Sequence, residues 1–185
     1  TRSASVRGLG DVYKRQGKDL NDIIDLHNSG VKAFTNSYSC KESSEMIMNS
    51  LLYLDQIDTL LLTKPKDRSF SDGVVNNGYY SNTVGLKGIP RISESIAVER
   101  DLSILEYVGG KIHFSGISTK ESVSIIRDAK TKKLNVTCDV PIHNLILDDS
   151  NVVSFDPNYK VDPPLRTKED IDALIEGIND GTIDI

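Results

Sequence analysis

From Gly17 onward the chain alternates short apolar runs with amphipathic stretches of helical period, and this alternation restricts the available folds more than any other feature. Strand-sized runs are predicted at residues 31–35, which contain Phe34, at 59–63 (Thr-Leu-Leu-Leu-Thr), at 111–115 and at 135–140. A run apolar at successive positions suits a strand covered on both faces, as in a parallel sheet. Helices are predicted between the runs. Residues 20–26 form a short one, closed by Asn28, Ser29 and Gly30, and residues 42–54 place Met46, Ile47, Leu51 and Leu54 at helical spacing. Pro90 opens a third, with Ile92, Ile96, Leu102 and Leu105 along one side and Gly109-Gly110 as its stop. Ser118 and Glu121 make a capping-box pattern for a fourth, whose inner face holds Val123, Ile126 and Ala129. Thr167 and Asp170 start the last, with Ile171, Leu174, Ile175 and Ile178 at i, i+3, i+4 and i+7. Asp180-Gly181 ends it, and residues 182–185 begin another apolar run. Residues 64–88 read as a long, polar, glycine-rich loop and are expected to be mobile.

Strand–helix alternation of this kind builds an α/β fold: a parallel sheet with crossover helices. A doubly wound open sheet and a (β/α)8 barrel both satisfy it. No G-x-G-x-x-G follows a predicted strand and no G-x-x-x-x-G-K-[ST] occurs, so nucleotide-binding open sheets lose support. In a barrel, chemistry gathers past the C-terminal strand ends, here residues 36–39, 64–67, 116–119 and 139–144.

Composition removes other classes. The net charge of −5 over 185 residues argues against a nucleic-acid partner held through phosphates. No apolar run approaches the roughly 20 residues of a membrane helix. Cys40 and Cys138 lie far apart and make no disulfide framework, and the first residues hold no apolar leader-like stretch, so a cytoplasmic protein with free thiols is expected. Residues 1–16 carry Arg2, Arg7, Lys14 and Arg15 against Asp11 and show no period. They read as an artefactual junction or a disordered tail rather than a basic binding arm, which leaves 17–185 as the folded part.

Three stretches carry a family resemblance. The first is Gly85-Leu86-Lys87-Gly88-Ile89-Pro90, followed by Glu94 and Arg100-Asp101. The second is Ile117-Ser118-Thr119-Lys120-Glu121-Ser122-Val123, then Ile126-Arg127-Asp128-Ala129-Lys130, then Val136-Thr137-Cys138-Asp139-Val140. The third is Asn158-Tyr159-Lys160-Val161-Asp162-Pro163-Pro164-Leu165-Arg166, then Ala173-Leu174-Ile175-Glu176-Gly177, then Asp180-Gly181-Thr182-Ile183-Asp184. In order and spacing the chain resembles the dihydroorotases of the cyclic amidohydrolase superfamily from about residue 17 to 185. The resemblance implies a partial (β/α)8 TIM barrel, with this chain supplying about strands four to seven plus the start of strand eight. It implies cyclic amide hydrolysis, the interconversion of dihydroorotate and carbamoyl aspartate in pyrimidine biosynthesis. In the family a zinc-bound hydroxide attacks the ring amide, since metal brings the pKa of its water near neutrality, and an Asp after the eighth strand handles protons.

The same resemblance exposes a discrepancy. The H-x-H pair of the first strand is expected before this chain and the Asp-His motif of the eighth strand after it. The metal-bridging acid or carbamylated lysine after strand four corresponds to Ser37. The His of a His-x-Glu-Asp-like stretch after strand five corresponds to Lys64, in Lys64-Pro65-Lys66-Asp67. The His before the Ser-Thr pair of strand six corresponds to Gly116. Zinc belongs to the family, but no cofactor is expected in this fragment, which is itself expected to be inactive. His113 is an odd number of residues from Gly116 and points to the other strand face. His143 follows strand seven, where the family often has a His that is not a primary ligand, and His27 is placed as a helix C-terminal dipole partner.

Asp162 corresponds to an Asn that contacts substrate in the family, and Arg166, Lys160 or Lys64 would supply the cation an anionic side chain needs there. Asp162 and Arg166 are therefore the substrate-binding candidates; the alternative makes Asp162 a turn residue before Pro163-Pro164. No Ser/His/Asp or Cys/His arrangement offers another nucleophile, and Cys138 reads as a buried thiol. Two functional readings stand. One is a dihydroorotase-family protein, acting on a small molecule related to dihydroorotate if active, whose copy here lacks the zinc centre. The other is a non-catalytic homologue that serves as structural partner of a transcarbamoylase, or as a homo-oligomer.

Overall fold

The structure, a computed structural model, describes residues 9–11, 22–35, 43–70 and 72–185. Its elements are, in chain order, β1 (Leu9–Asp11), α1 (Ile23–Asn28), β2 (Ala33–Thr35), α2 (Ser44–Asp55), β3 (Leu60–Thr63), β4 (Val75–Asn76), α3 (Tyr79–Val84), β5 (Gly88–Ile89), α4 (Ile92–Val108), β6 (Ile112–Phe114), α5 (Lys120–Thr131), β7 (Val136–Cys138) and α6 (Lys168–Asn179). The chain divides into two compact units. Among the described residues, one comprises those up to Lys64 together with Asp101–His113, the other those of Pro65–Arg100 with Phe114–Ile185.

In the first unit β1 pairs in parallel with β2, and β2 with β3, with Phe34 opposite Leu61 in register. Leu9–Asp11 lies inside the segment expected to stand outside the fold. The Leu61 N–H donates to the Lys111 carbonyl at 3.0 Å, which brings in the edge of β6. Ser43 caps α2 by accepting the Met46 N–H at 3.2 Å, satisfying a donor the helix start leaves open. Ile47, Leu51 and Leu54 on α2 are buried, as are Phe34, Leu61, Leu105 and Ile112. Three of the four α2 positions that the sequence spacing predicts are thus buried, and Met46 is half-buried.

In the second unit α5 buries Val123, Ile126 and Ala129, as predicted, but its cap is Thr119, which accepts the Ser122 N–H at 3.3 Å. Ser118 is drawn elsewhere, into a buried carboxylate contact described below. Helix α6 starts on the Thr167/Asp170 capping box. Its buried face is Asp170, Leu174 and Gly177, whereas Ile175 and Ile178 are 43% and 41% exposed. The stripe turns because α5 approaches at Gly177, where a Cβ would lie 3.0 Å from Val123 Cγ1. Helix α4 departs from expectation for a related reason. Ile92 is 47% exposed, while Ser93, Glu94, Ala97 and Val98 are buried, because the Glu94 carboxylate is turned inward.

The largest correction falls within residues 64–88, where paired strands and a helix stand in the segment read as a loop. Strands β4 and β5 pair in parallel, Val75 with Gly88 and Asn76 with Ile89, and α3 connects them. The Asp67 N–H donates to the Ser93 carbonyl and the Ser93 hydroxyl to the Asp67 carbonyl at 2.8 Å. Asn76, a turn signal by composition, is 2% exposed and spends its amide inside the unit. Residues 184–185 run beside β7, with the Asp184 N–H donating to the Cys138 carbonyl and the Val140 N–H to the Ile185 carbonyl. Among the described residues no helix is long and apolar enough to cross a membrane.

Candidate functional site

Within the second unit four segments converge: 65–67 after β3, 116–119 after β6, 139–141 after β7, and 162–166 before α6. In an α/β fold, residues just past strand ends are placed by rigid elements yet free of the ladder, which is where sites form. Gly116 sits here, buried, with φ +78°. Its N–H donates to Asp139 Oδ1 at 2.6 Å. A Cβ on it would lie 3.3 Å from Pro163 Cδ and 3.8 Å from Pro141 Cγ. The left-handed backbone and the two prolines together favour glycine and leave little room for an imidazole.

Lys66 and Asp162 meet at the outer side of this region. The ammonium donates to Asp162 Oδ1 at 3.2 Å, with side chains 28% and 48% exposed. Lys66 therefore holds the carboxylate for which the sequence suggested Arg166, Lys160 or Lys64. Lys64 follows β3 directly and belongs to the first unit. Ser37 lies outside the described residues, as does Cys40.

Arg166 is in a different environment. Its side chain is 2% exposed, with Nε donating to Ser118 Oγ at 3.1 Å and Nη1 to Asn76 Oδ1 at 2.8 Å and the Ile89 carbonyl at 3.1 Å. Nη2 stands 3.9 Å from Glu94 Oε2. Burial pushes the guanidinium below its ordinary value, and the carboxylates of Glu94 and then Asp170 push back. Glu94, 3% exposed, accepts the Ser118 and Thr119 N–H groups at 2.9 and 3.0 Å and both of their hydroxyls. Asn76 passes the network on, its amide donating to Asp149 Oδ2 at 2.7 Å.

A second buried carboxylate caps two helices at once. Asp170 Oδ1 accepts the Lys120 N–H of α5 at 3.1 Å; Oδ2 accepts the Thr167 N–H and hydroxyl and Arg91 Nη2 at 2.8 Å. Arg91 also donates to Thr167 Oγ1 and Glu121 Oε1. Anions at a helix start satisfy its open N–H groups and its dipole, so the α5 terminus is filled by the protein's own carboxylates.

The remaining candidates lie apart. His27 is in the last turn of α1, where the sequence places it, with Nδ1 3.3 Å from Thr59 Oγ1. His113 is buried within β6, and His143 is in the short 3-10 turn Ile142–Leu145. Cys138 is buried, its Sγ donating to the Thr182 carbonyl at 3.4 Å, and burial with the nearby Asp184 charge raises its thiol to about 12. At neutral pH that thiol is protonated and no nucleophile. Among the described residues no three His, Cys, Asp or Glu side chains cluster as a metal site.

Chemically, the convergence holds a buried ion network, in which Glu121 Oε2 is left without a partner among the described residues, and an accessible ammonium–carboxylate pair. Sequence reading missed Lys66, Asn76, Asp149 and the roles of Glu94 and Arg91. Glu94 stands in a recognisable motif, but nothing in its spacing signals an inward carboxylate.

A family model described as dihydro-orotase-like matches residues 7–122. A dihydroorotase of Thermoanaerobacter sp. (strain X514) is 40% identical over 170 residues, covering 91% of this chain and 39% of the relative. A dihydroorotase of Acetivibrio thermocellus is 39% identical over 183 residues, covering 98% and 43%. The chain thus spans less than half the length of these relatives. Among solved structures, the L-hydantoinase (dihydropyrimidinase) from Arthrobacter aurescens superposes with TM-score 0.79 at 18% identity, over 95% of this chain and 41% of that one. A D-hydantoinase (dihydropyrimidinase) from Thermus sp. gives 0.67 at 13% identity, over 95% and 48%.

Proposed function

The chain belongs to the dihydroorotase-like family, and from that premise we propose that it is part of a protein related to the cyclic amide hydrolases of pyrimidine biosynthesis whose zinc-dependent step has been lost. Its parallel strands are read as about strands four to seven of a (β/α)8 barrel, with residues 182–185 entering the eighth; the likeness to the hydantoinases supports that reading. The observation that carries the loss is Gly116. It occupies the position of a family ligand, its φ of +78° disfavours a side chain, and Pro163 stands 3.3 Å from where its Cβ would be. The described residues therefore do not fit a zinc centre, and no hydrolytic step is derived through one. Cys138 is protonated and buried, and among the described residues no other activated nucleophile takes its place.

Metal analysis and turnover of the full-length protein test this. The expected result is zinc far below one equivalent and no hydrolysis of dihydroorotate or cyclisation of carbamoyl aspartate. Stoichiometric zinc together with turnover overturns it. A zinc-free, inactive protein would act through binding, and the resemblance names a transcarbamoylase as the partner to test by co-elution.

A further inference from the structure

Three places in the sequence set an acidic or amide side chain before a glycine: Asp72-Gly73, Asn77-Gly78 and Asp180-Gly181. At such a step the glycine nitrogen can attack the preceding side-chain carbonyl carbon and close a five-membered imide, because no Cβ shields the nitrogen. The three differ in how well that carbon accepts attack. Asp72 and Asp180 are held ionised, the first by Lys87 and the second by Thr182 and then Arg127. A carboxylate resists a nucleophile, since its charge repels and oxide would have to leave. Asn77 carries a neutral amide, whose leaving group is ammonia.

Asn77 has a fixed side and a free side. Its N–H donates to the Ile89 carbonyl at 3.1 Å, and a Cβ on Gly88 would stand 2.5 Å from its Cα. Its backbone is thus pinned to β5. The residue is exposed, and among the described residues its side-chain amide has no hydrogen-bond partner. The attacking nitrogen, by contrast, is held. The Gly78 N–H donates to Ser81 Oγ at 3.0 Å, and that hydroxyl donates back to the Gly78 carbonyl at 3.0 Å. Ser81 is 1% exposed, so water does not compete for this clasp.

We propose that Asn77 is a site of spontaneous deamidation whose rate is set by the Ser81 clasp on Gly78. The step balances with water as its co-reactant. Once the Gly78 N–H leaves Ser81, hydroxide removes its proton. The nitrogen bonds to Asn77 Cγ, the Cγ–Nδ2 bond breaks, and ammonia departs. Water then opens the imide at either carbonyl and yields aspartate or isoaspartate. Both products place a carboxylate immediately after Asn76, which is buried and donates to Asp149 Oδ2. The isoaspartyl form also lengthens the backbone between β4 and α3 by one methylene. The step uses only water, so it stands whether or not zinc catalysis is lost.

Incubation of the full chain at mildly alkaline pH, followed by tryptic mapping, reads the outcome in the peptide of residues 69–87. An isoaspartyl methyltransferase labels the isoaspartyl product. Conversion is expected at Asn77 ahead of Asn76 and Asn82 in the same peptide, at a rate that rises with pH. Ser81→Ala should speed it about fivefold, the factor that loss of one hydrogen bond represents. Gly78→Ala should slow it severalfold and keep the fold. Gly78 is extended, with φ 174°, and a Cβ on it would meet Asn76 Nδ2 at 3.9 Å and Asp149 Oδ2 at 4.0 Å, ordinary contacts. Wild type unfolded in urea has no clasp and should convert at least as fast as Ser81→Ala; it is the reference if that variant does not fold. The proposal is overturned if Asn77 in the folded protein converts no faster than Asn76 and Asn82. It is equally overturned if folded Ser81→Ala, or the unfolded chain, converts no faster than folded wild type.

Discussion

The two ion pairs that tie segment 162–166 to other parts of the second unit are built on opposite terms. Arg166 and Glu94 are both under 5% exposed on their side chains and are bonded to hydroxyls, an amide and backbone groups. Lys66 and Asp162 share one bond at the edge of solvent. Taking charges out of water costs several kcal/mol per ion and is recovered only when their partners are complete, so neither buried member can be removed alone. The exposed pair carries little desolvation cost and little net energy, which leaves it open to exchange. Both pairs place a charge on the same short segment; only one of them is buried in the fold.

The sharpest way to break this contrast is to strip one buried charge. Arg166→Met leaves Glu94 facing Ser118 and Thr119 without its cation, and Glu94→Ala leaves the guanidinium uncompensated. Each should cost about 3–5 kcal/mol in urea unfolding. Amide exchange should accelerate across β4 and β5, since Arg166 is bonded to Asn76 and the Ile89 carbonyl. A loss under 1 kcal/mol would erase the distinction.

Gly116 is the next largest. Gly116→Ala forces a Cβ into a left-handed backbone beside Pro163 and should cost about 1–2 kcal/mol by the same measurement. Gly116→Asn, which tolerates that conformation better, should cost less unless the proline contact dominates.

The pH limbs separate buried from exposed groups again. The folded pKa of Cys138 is raised to about 12 against an ordinary value of 9.0, chiefly by burial. Its contribution is complete below 9 and is lost as pH rises from there through about 12, because only the unfolded thiol ionises in that window. Slow alkylation of the folded protein at pH 9 checks the same point. Asp180 lies at the surface, and its carboxyl is lowered to about 2 by the hydroxyl and N–H of Thr182 and then by Arg127. It contributes above 3.8 and fades as pH falls through about 2, an effect that added salt should shrink on the Arg127 side.

The smallest effect is expected at the exposed pair. Lys66→Met should change stability by less than about 1 kcal/mol, within the range measured for surface ion pairs. A change as large as that at Arg166 would mean that exposure does not sort the two pairs.

Much of the architecture was readable from periodicity. Ile47, Leu51 and Leu54 on α2 and Val123, Ile126 and Ala129 on α5 are buried as their spacing predicts. Periodicity failed where polar groups turned inward. Glu94 rotated the buried stripe of α4 away from Ile92, and Gly177 with Asp170 rotated that of α6 away from Ile175 and Ile178. Asn76 and the glycines of residues 64–88 have the composition of a loop, and composition does not tell a turn residue from one that completes a buried network. At the candidate site, Asp162 and Arg166 are four residues apart in sequence, yet one is 48% and the other 2% exposed. Ser37 lies outside the described residues, and Gly116 stands where its conformation explains its identity.

By itself the sequence determined the class of fold and the family, because apolar spacing, motif order and residue identity are local properties of the chain. The tertiary structure decided which charges meet. Lys66 and Asp162 are separated by 96 positions and Asn76 and Arg166 by 90, and nothing local records such pairings. Whether a charge serves the fold or remains available to a ligand depends on its desolvation and on how many of its hydrogen bonds are already made. Both are properties of the packed chain.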